Sequence, residues 1–303
     1  MTITPFVTLL AVLLAAPALP GIATRTKSLL TGRRGAPVLQ LYADLRKLAR
    51  KGVVYSRTTT LVFRVAPVVL TAGVLVAAFL LPLDGRTPIF GFTGDLVAFA
   101  GLLALGRFAL VLAGLDTGSS FEGMGASREV TVAAFAEPAL LLSLTVLVLV
   151  TGSLSLGGML GTPLAAAWPA AAPSLVLAGA SLFMLLLAEN ARVPIDDPAT
   201  HLELTMIHEV IILDHSGPDL ALILYAGAVK FALFGALVVS VLVPRGRFDP
   251  WVAGTMLLAG LALIAALVGV IEAVMARLRM DRIPQFLVTA GALAGLAVIL
   301  LLR

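Results

Sequence analysis

Long apolar runs, broken by short polar stretches, dominate this chain. A helix that crosses a membrane needs about 20 mostly apolar residues. Eight segments meet that condition, at roughly 3–23, 61–83, 95–115, 130–152, 172–189, 219–243, 251–272 and 283–302. From Pro138 to Ala188 no charged residue occurs. That run holds most of two helices and a Gly/Pro-rich connection from Thr151 to Pro173. The predicted fold is an all-α integral membrane protein, a single membrane domain over 1–303 built as an eight-helix bundle. Its polar connections at 24–60, 116–129, 190–218 and 273–282 are predicted cytoplasmic loops. The first apolar segment has no Lys or Arg before Arg25. It therefore lacks the basic start of a cleaved secretory signal and is read as a retained helix.

Composition sharpens this picture. Of the 303 residues 60% are hydrophobic and 13% charged, whereas a soluble domain carries about 45–50% apolar and about 25% charged residues. Both a water-soluble globule and an intrinsically disordered chain are excluded. There is no cysteine, so disulfides and thiolate-ligated metal or iron–sulfur sites in this chain are excluded too.

The net charge of +4 raises the question of nucleic acid, and the distribution of the basic residues answers it. Fourteen of the 21 Lys and Arg fall in the odd-numbered loops, nine of them between Arg25 and Arg57. The positive-inside rule places those loops in the cytoplasm and both termini outside. A basic face formed this way needs no nucleic-acid partner. The odd loops are also the long ones, so chemistry or a docking partner is expected on the cytoplasmic side.

In the first loop Val38, Leu41, Leu45 and Leu48 recur at helical spacing, with Arg46, Lys47, Arg50 and Lys51 on other faces. This predicts an amphipathic helix in the headgroup layer near anionic lipid. Its sharper reading is a helix that docks a soluble subunit or borders a cavity entrance.

The stretch 116–129, DTGSSFEGMGASRE, predicts a tight polar turn, with Ser127 capping the next helix and Glu129 near its N-terminus. Glu137 lies deeper in that apolar helix, where a carboxylate is costly unless it faces a polar interior.

The stretch 189–219 is rich in acids and holds all three histidines. His201, His208 and His215 are seven apart, so on one helix neighbours would be separated by about 10.5 Å, too far for one metal ion. No HExxH is present. Glu203 and Glu209 would lie on different helix faces, so no paired-carboxylate hydrolytic site is implied. A chain of titratable groups separated by water is expected instead. Lys230 and Glu272 sit inside helices and need a hydrated interior or an ion pair. Arg64 and Arg107 are expected to snorkel toward a helix end.

Several motifs together resemble the membrane-anchor family shared by respiratory complex I subunit 1 and the group 4 nickel–iron hydrogenases, including formate hydrogenlyase subunit 4. Arg34, Gly35, Pro37, Gln40, Asp44, Lys47 and Leu48 resemble its R-G-P…Q…D-x-x-K-L pattern, with Ala36 inserted before the proline. Arg128 and Glu137 have the spacing of an Arg and a membrane Glu in that family. Glu189, Arg192, Pro194, Asp196, Glu203 and Leu204 align with E-x-x-R-x-P-x-D…E-L. Glu272 with Ala276-Arg277-Leu278-Arg279 and Arg282-Ile283-Pro284 resembles the hydrogenase branch, as does the HLELTMIHE run. Complex I subunit 1 carries two further glutamates where this chain has Ala199 and His201.

The resemblance implies a non-catalytic membrane-anchor subunit of a group 4 hydrogenase complex. It implies a proton path through Glu137, Glu189, Asp196, Glu203, Glu209, Lys230 and Glu272. It also implies partner docking through Arg33, Arg34, Gln40, Asp44, Lys47, Arg128, Arg192, His201, His208, Arg277 and Arg279. No cofactor is expected in this chain. A nickel–iron centre and iron–sulfur clusters are expected in partner subunits, with quinone or lipid in the cavity. Expected partners are the hydrogenase large and small subunits, iron–sulfur subunits, antiporter-like membrane subunits and membrane lipids, in the cytoplasmic membrane. Two rivals stand beside this reading: a quinone-cavity subunit of a complex I-type dehydrogenase, and a stand-alone ion transporter.

Overall fold

The structure, a computed structural model, describes residues 3–196 and 206–302. The described residues form α-helices and short 3-10 turns. Two helices open the chain, α1 (Thr4–Ala15) and α2 (Ala18–Leu30), meeting at a 46° bend. The single first span expected at 3–23 is thus a broken one. Pro17 and Pro20 sit at the break, where each lacks the amide that a straight helix would use.

The short helix α3 (Gln40–Leu48) follows, then α4 (Leu61–Leu80) and α5 (Asp95–Asp116). The end of α5 caps the start of α4. Asp116 accepts from the Thr60 amide at 2.6 Å and the Thr60 hydroxyl at 2.9 Å, satisfying donors that a helix start leaves open.

Next come α6 (Ser120–Thr151), α7 (Leu156–Leu160) and α8 (Thr162–Glu189). Here the structure corrects two expectations. The helix predicted from residue 130 already begins at Ser120, so Ser127 lies inside it and Ser119 precedes it. The Gly/Pro-rich connection is largely helical, with Pro169 and Pro173 inside α8. Pro138 likewise lies within α6. In an apolar medium an unpaired backbone group is costly, so the chain stays helical where proline would break it in water.

After the long polar stretch come α9 (His208–Ile211), α10 (Gly217–Leu242), α11 (Pro250–Val274) and α12 (Ile283–Leu301). Among the described residues seven helices are long and apolar enough to span a membrane, or eight if the bent α1–α2 pair is one span.

The axis of the bundle is α10, most of whose residues are buried. It touches α4, α8 and α11, while α4 lies along α5, α11 along α2, and α12 against both α6 and α8. Between lipid-embedded helices close packing and hydrogen bonds, not water exclusion, hold the contact. Gly269 of α11 meets the Ala23 carbonyl of α2 so closely that a methyl group there would overlap it. Ser181 of α8 donates to the Ala290 carbonyl of α12 at 2.8 Å and shares a 2.9 Å bond with Ser143 of α6.

One end of the bundle, called here the far end, is sewn shut. Arg245, almost fully buried, donates to the carbonyls of Leu83 and Ala253 at 2.9 and 3.0 Å and to the Ser240 hydroxyl at 2.7 Å. Burial pulls its guanidinium down to about 10. Asp95 accepts from the Leu156 amide at 2.6 Å, tying α5 to α7 at the same end. Exposed Phe90, Phe92, Phe248 and Trp251 surround this end, as aromatics do at a membrane–water boundary. The other, basic end carries α3, α9 and the polar connections, and the functional side chains gather below it.

Candidate functional site

Arg107 projects from the middle of α5, 12 residues after Asp95 and so about 18 Å along the axis. That is too deep for the expected snorkelling, and the side chain is buried instead. It meets three carboxylates. One guanidinium nitrogen reaches both Glu189 oxygens at 2.8 and 2.9 Å. Another lies 3.3 Å from Glu137, and Nε lies 3.8 Å from Glu129.

Lys230, halfway along α10, closes the group with a 2.7 Å ion pair to the second Glu189 oxygen. Five charged side chains from α5, α6, α8 and α10 therefore form one cluster. Two cations face three carboxylates, which leaves one negative charge in excess when all are ionised. Inside a membrane such charges persist only where they pair with one another or meet water.

A cavity of about 210 Å³ adjoins the cluster and reaches toward the basic end. Its apolar walls include Leu70, Val74, Leu103 and Ile223. Its polar rim includes Arg192, Asp196, His208 and Glu209.

Two further ion pairs stand at the rim. Glu272 of α11 lies 3.3 Å from Arg192 and 4.0 Å from Lys27 of α2. The Arg192 guanidinium also lies 5.7 Å over the Phe231 ring, a cation–π placement. Asp196 pairs with Arg277 at 3.0 Å and accepts from the amides of Ile207 and His208 at 2.9 and 3.3 Å. The Leu278 amide donates to Pro194 at 2.8 Å, fastening the same two segments.

The helix α9 is pressed onto α6 at Gly125, where a methyl group would overlap Val210. Arg128 donates to the Met206 carbonyl at 2.8 Å and holds the approach to that turn.

The expected path residues Glu137, Glu189 and Lys230 thus meet in one cluster, with Asp196 and Glu209 on the cavity rim and Glu272 behind it. Glu203 and His201 lie outside the described residues. Of the expected docking residues, Arg33, Arg34, Gln40, Lys47 and Arg279 are exposed, and Gln40 bonds Asp44 at 3.0 Å. Arg128, Arg192 and Arg277 point into internal bonds instead, and His208 lines the cavity. A long arginine beside an unpaired acid gains more from that acid than from open water.

Arg107 and Glu129 are the cluster members the sequence reading missed. The central position of Arg107 in its apolar segment was the available signal. For Glu129 it was the eight-residue step to Glu137, which on an uninterrupted helix keeps the two within about 80°.

Three other buried polar groups were also unforeseen. Glu122 accepts from the Asp214 amide at 3.2 Å. Asp219 accepts from the Tyr55 hydroxyl at 2.9 Å. His215 stacks on Phe63 with centroids 3.9 Å apart, and burial lowers its imidazole to about 4.

Known proteins share this architecture. The family described as NADH dehydrogenase matches residues 3–303. The chain belongs to that family. Within it, hydrogenase-4 component C of Escherichia coli (strain K12) is 36% identical over 235 residues, covering 78% of this chain and 73% of the relative. Formate hydrogenlyase subunit 4 of the same organism is 32% identical over 308 aligned positions, covering 98% of each. The fold is that of a chain in the membrane-bound sulfane sulfur reductase, an archaeal respiratory membrane complex. The TM-score there is 0.82 at 15% identity, over 99% of this chain and 98% of that one. With its apolar helices, this NADH dehydrogenase family member is a multi-pass membrane protein.

Proposed function

We propose that this chain is a non-catalytic membrane-anchor subunit of a group 4 nickel–iron hydrogenase complex of the formate hydrogenlyase type. In this role it docks the hydrogenase arm and links redox chemistry there to proton movement here. The observation that carries the reading is the five-membered cluster of Arg107, Lys230, Glu189, Glu137 and Glu129 at mid-depth, adjoined by a cavity that reaches toward the basic end. The likeness to formate hydrogenlyase subunit 4 over nearly the whole chain supports it.

In this reading the basic end is cytoplasmic, as the positive-inside rule asks, and the membrane is the cytoplasmic one with both termini outside. The helix α3 lies at that surface, its Leu41, Leu45 and Leu48 half-buried and its Arg46 and Lys47 exposed. The exposed Arg33, Arg34, Gln40, Lys47 and Arg279 take part in docking the arm. Nickel–iron and iron–sulfur centres belong to partner subunits, since this chain has no cysteine to hold a cluster.

The chemistry asked of this chain is proton transfer alone. With one carboxylate in excess, the cluster becomes neutral by taking one proton. A change of charge in the arm alters the field at the rim, and the proton redistributes among Glu209, Glu189 and Glu137. The Glu137 side chain is 46% exposed on the outer face of α6, which offers the proton to an adjoining antiporter-like subunit.

A quinone-cavity subunit of a complex I-type dehydrogenase is the second reading, favoured by the apolar walls of the cavity. A tagged chain drawn in mild detergent from its native membrane separates the two. Nickel and iron in the eluate, with hydrogen-linked dye reduction, are expected. Iron and quinone without nickel would instead select the dehydrogenase reading, and a metal-free chain alone would leave a transporter.

A further inference from the structure

His208 stands where two systems meet. Its backbone amide points to Asp196, whose other oxygen pairs with Arg277 at 3.0 Å. Its side chain lines the cavity that Arg107, Glu189 and Lys230 also line. The turn that carries it has little freedom. Gly125 of α6 and Gly114 of α5 let α9 approach closely, with Ile211 3.0 Å from the position a methyl group would take at Gly114. Arg128 holds the Met206 carbonyl two residues before the histidine at 2.8 Å. The ring is thus presented at a fixed place, beside water-sized space, between a rim ion pair and an interior cluster that is one positive charge short of balance.

We propose that His208 is the protonatable relay between the rim and the interior cluster, accepting a proton from cavity water on one ring nitrogen and releasing it toward the carboxylates of that cluster. This rests on the cavity being a proton path. No bond other than those to the proton is made or broken. The imidazole suits the role because it both accepts and donates, and because an unperturbed imidazole changes charge near neutral pH, so that modest shifts in its surroundings decide its state.

The groups that face it set its tuning. Burial lowers its affinity for the proton, and Lys230 lowers it further. Glu129, Asp196 and Glu189 raise it, from three different segments. Arg107, Arg192 and Glu209 complete the charged lining. Each change of charge in the cluster is therefore felt at the ring, and each proton on the ring is felt by the cluster. Asp196 feels that change through space.

The test uses the full chain in lipid nanodiscs with nitrogen-15 in its imidazoles. There are three histidines, and His208→Gln assigns one signal by its loss. The His208 signal is expected to titrate with solvent exchange, at a midpoint below the ordinary 6.5. Lys230→Gln should move that midpoint up and Glu129→Gln should move it down. Lys230→Arg, which keeps the charge, should leave it near the wild-type value and guards against a merely misfolded variant. A ring that stays neutral across the whole range, or midpoints that coincide in the charge-changing variants, would overturn the proposal. The titration needs no partner subunit, so its result stands apart from the pull-down that tests the anchor role.

Discussion

Arg107→Met is the most informative single change to the cluster. The guanidinium lies 2.8 Å from Glu189, 3.3 Å from Glu137 and 3.8 Å from Glu129. At an effective dielectric of about 20, each pair near 4 Å attracts by about 4 kcal/mol before desolvation is counted. Removing one partner from a buried pair costs about 3–5 kcal/mol, because the other charge stays behind uncompensated. Here Lys230 still faces Glu189, which holds the loss within that range despite the three broken pairs. The expected result is a fall in the folding equilibrium on the order of 10²–10⁴-fold, read as reversible unfolding by SDS in mixed micelles and followed by far-ultraviolet circular dichroism. Arg107→Lys keeps the charge but cannot reach three acids at once, so an intermediate loss is expected. An Arg107→Met protein within about 1 kcal/mol of wild type would refute the view that this side chain is the hub of the cluster.

Other consequences follow from the same geometry. His215, lowered to about 4 by burial from an ordinary 6.5, takes up its proton more readily when the chain unfolds. Its contribution to stability is therefore present above pH 6.5, is lost as pH falls toward 4, and changes no further below that. His215→Phe keeps the stack on Phe63 and should flatten the acid side of a stability–pH profile by up to about 3 kcal/mol. Gly125→Leu should push α9 off α6 and raise protease cutting between residues 206 and 216 in detergent, whereas Gly123→Ala, in open space on the same helix, should not. Glu272→Gln removes the acid that Arg192 and Lys27 share, and a loss of about 1–3 kcal/mol is expected in the same micelle assay. Arg245→Met strips a buried donor from two carbonyls and a hydroxyl, and should cost about 2–4 kcal/mol while leaving the His208 titration where it was.

The helices were legible because their signal is additive. Twenty apolar residues in a row need no knowledge of their neighbours. The ends were less so. Ser120 to Glu129 is polar enough to read as a loop, yet it forms the first turns of α6 because α9 and the Arg128–Met206 bond give it a surface to lie on. That mistaken boundary hid Glu129, which looked like a residue at a helix start. Arg107 was hidden differently. Snorkelling is a sound expectation for an arginine near a helix end, and only the depth of Arg107 together with Glu189 on another helix decides against it. Charge partners that come from four helices leave no trace at any fixed spacing. The chain signals that Glu137, Glu189, Lys230 and Glu272 need company, but not which of them share it.

The distribution of that company bears on direction. Described buried ion pairs occur around the cavity and at the basic end, as with Arg107–Glu189, Lys230–Glu189, Arg192–Glu272 and Arg277–Asp196. Beyond Lys230, α10 carries only apolar residues, Gly235 and Ser240 before the Arg245 knot. Beyond Glu137, α6 carries no charge to its end at Thr151. A proton that reaches Lys230 and Glu189 therefore meets no titratable side chain on these helices that would take it onward to the far end. The half-exposed Glu137 faces sideways instead. In the proposed proton path, the polar route through the described residues runs from the basic end to mid-depth and then toward the flank, and a neighbouring subunit supplies the groups for a complete crossing.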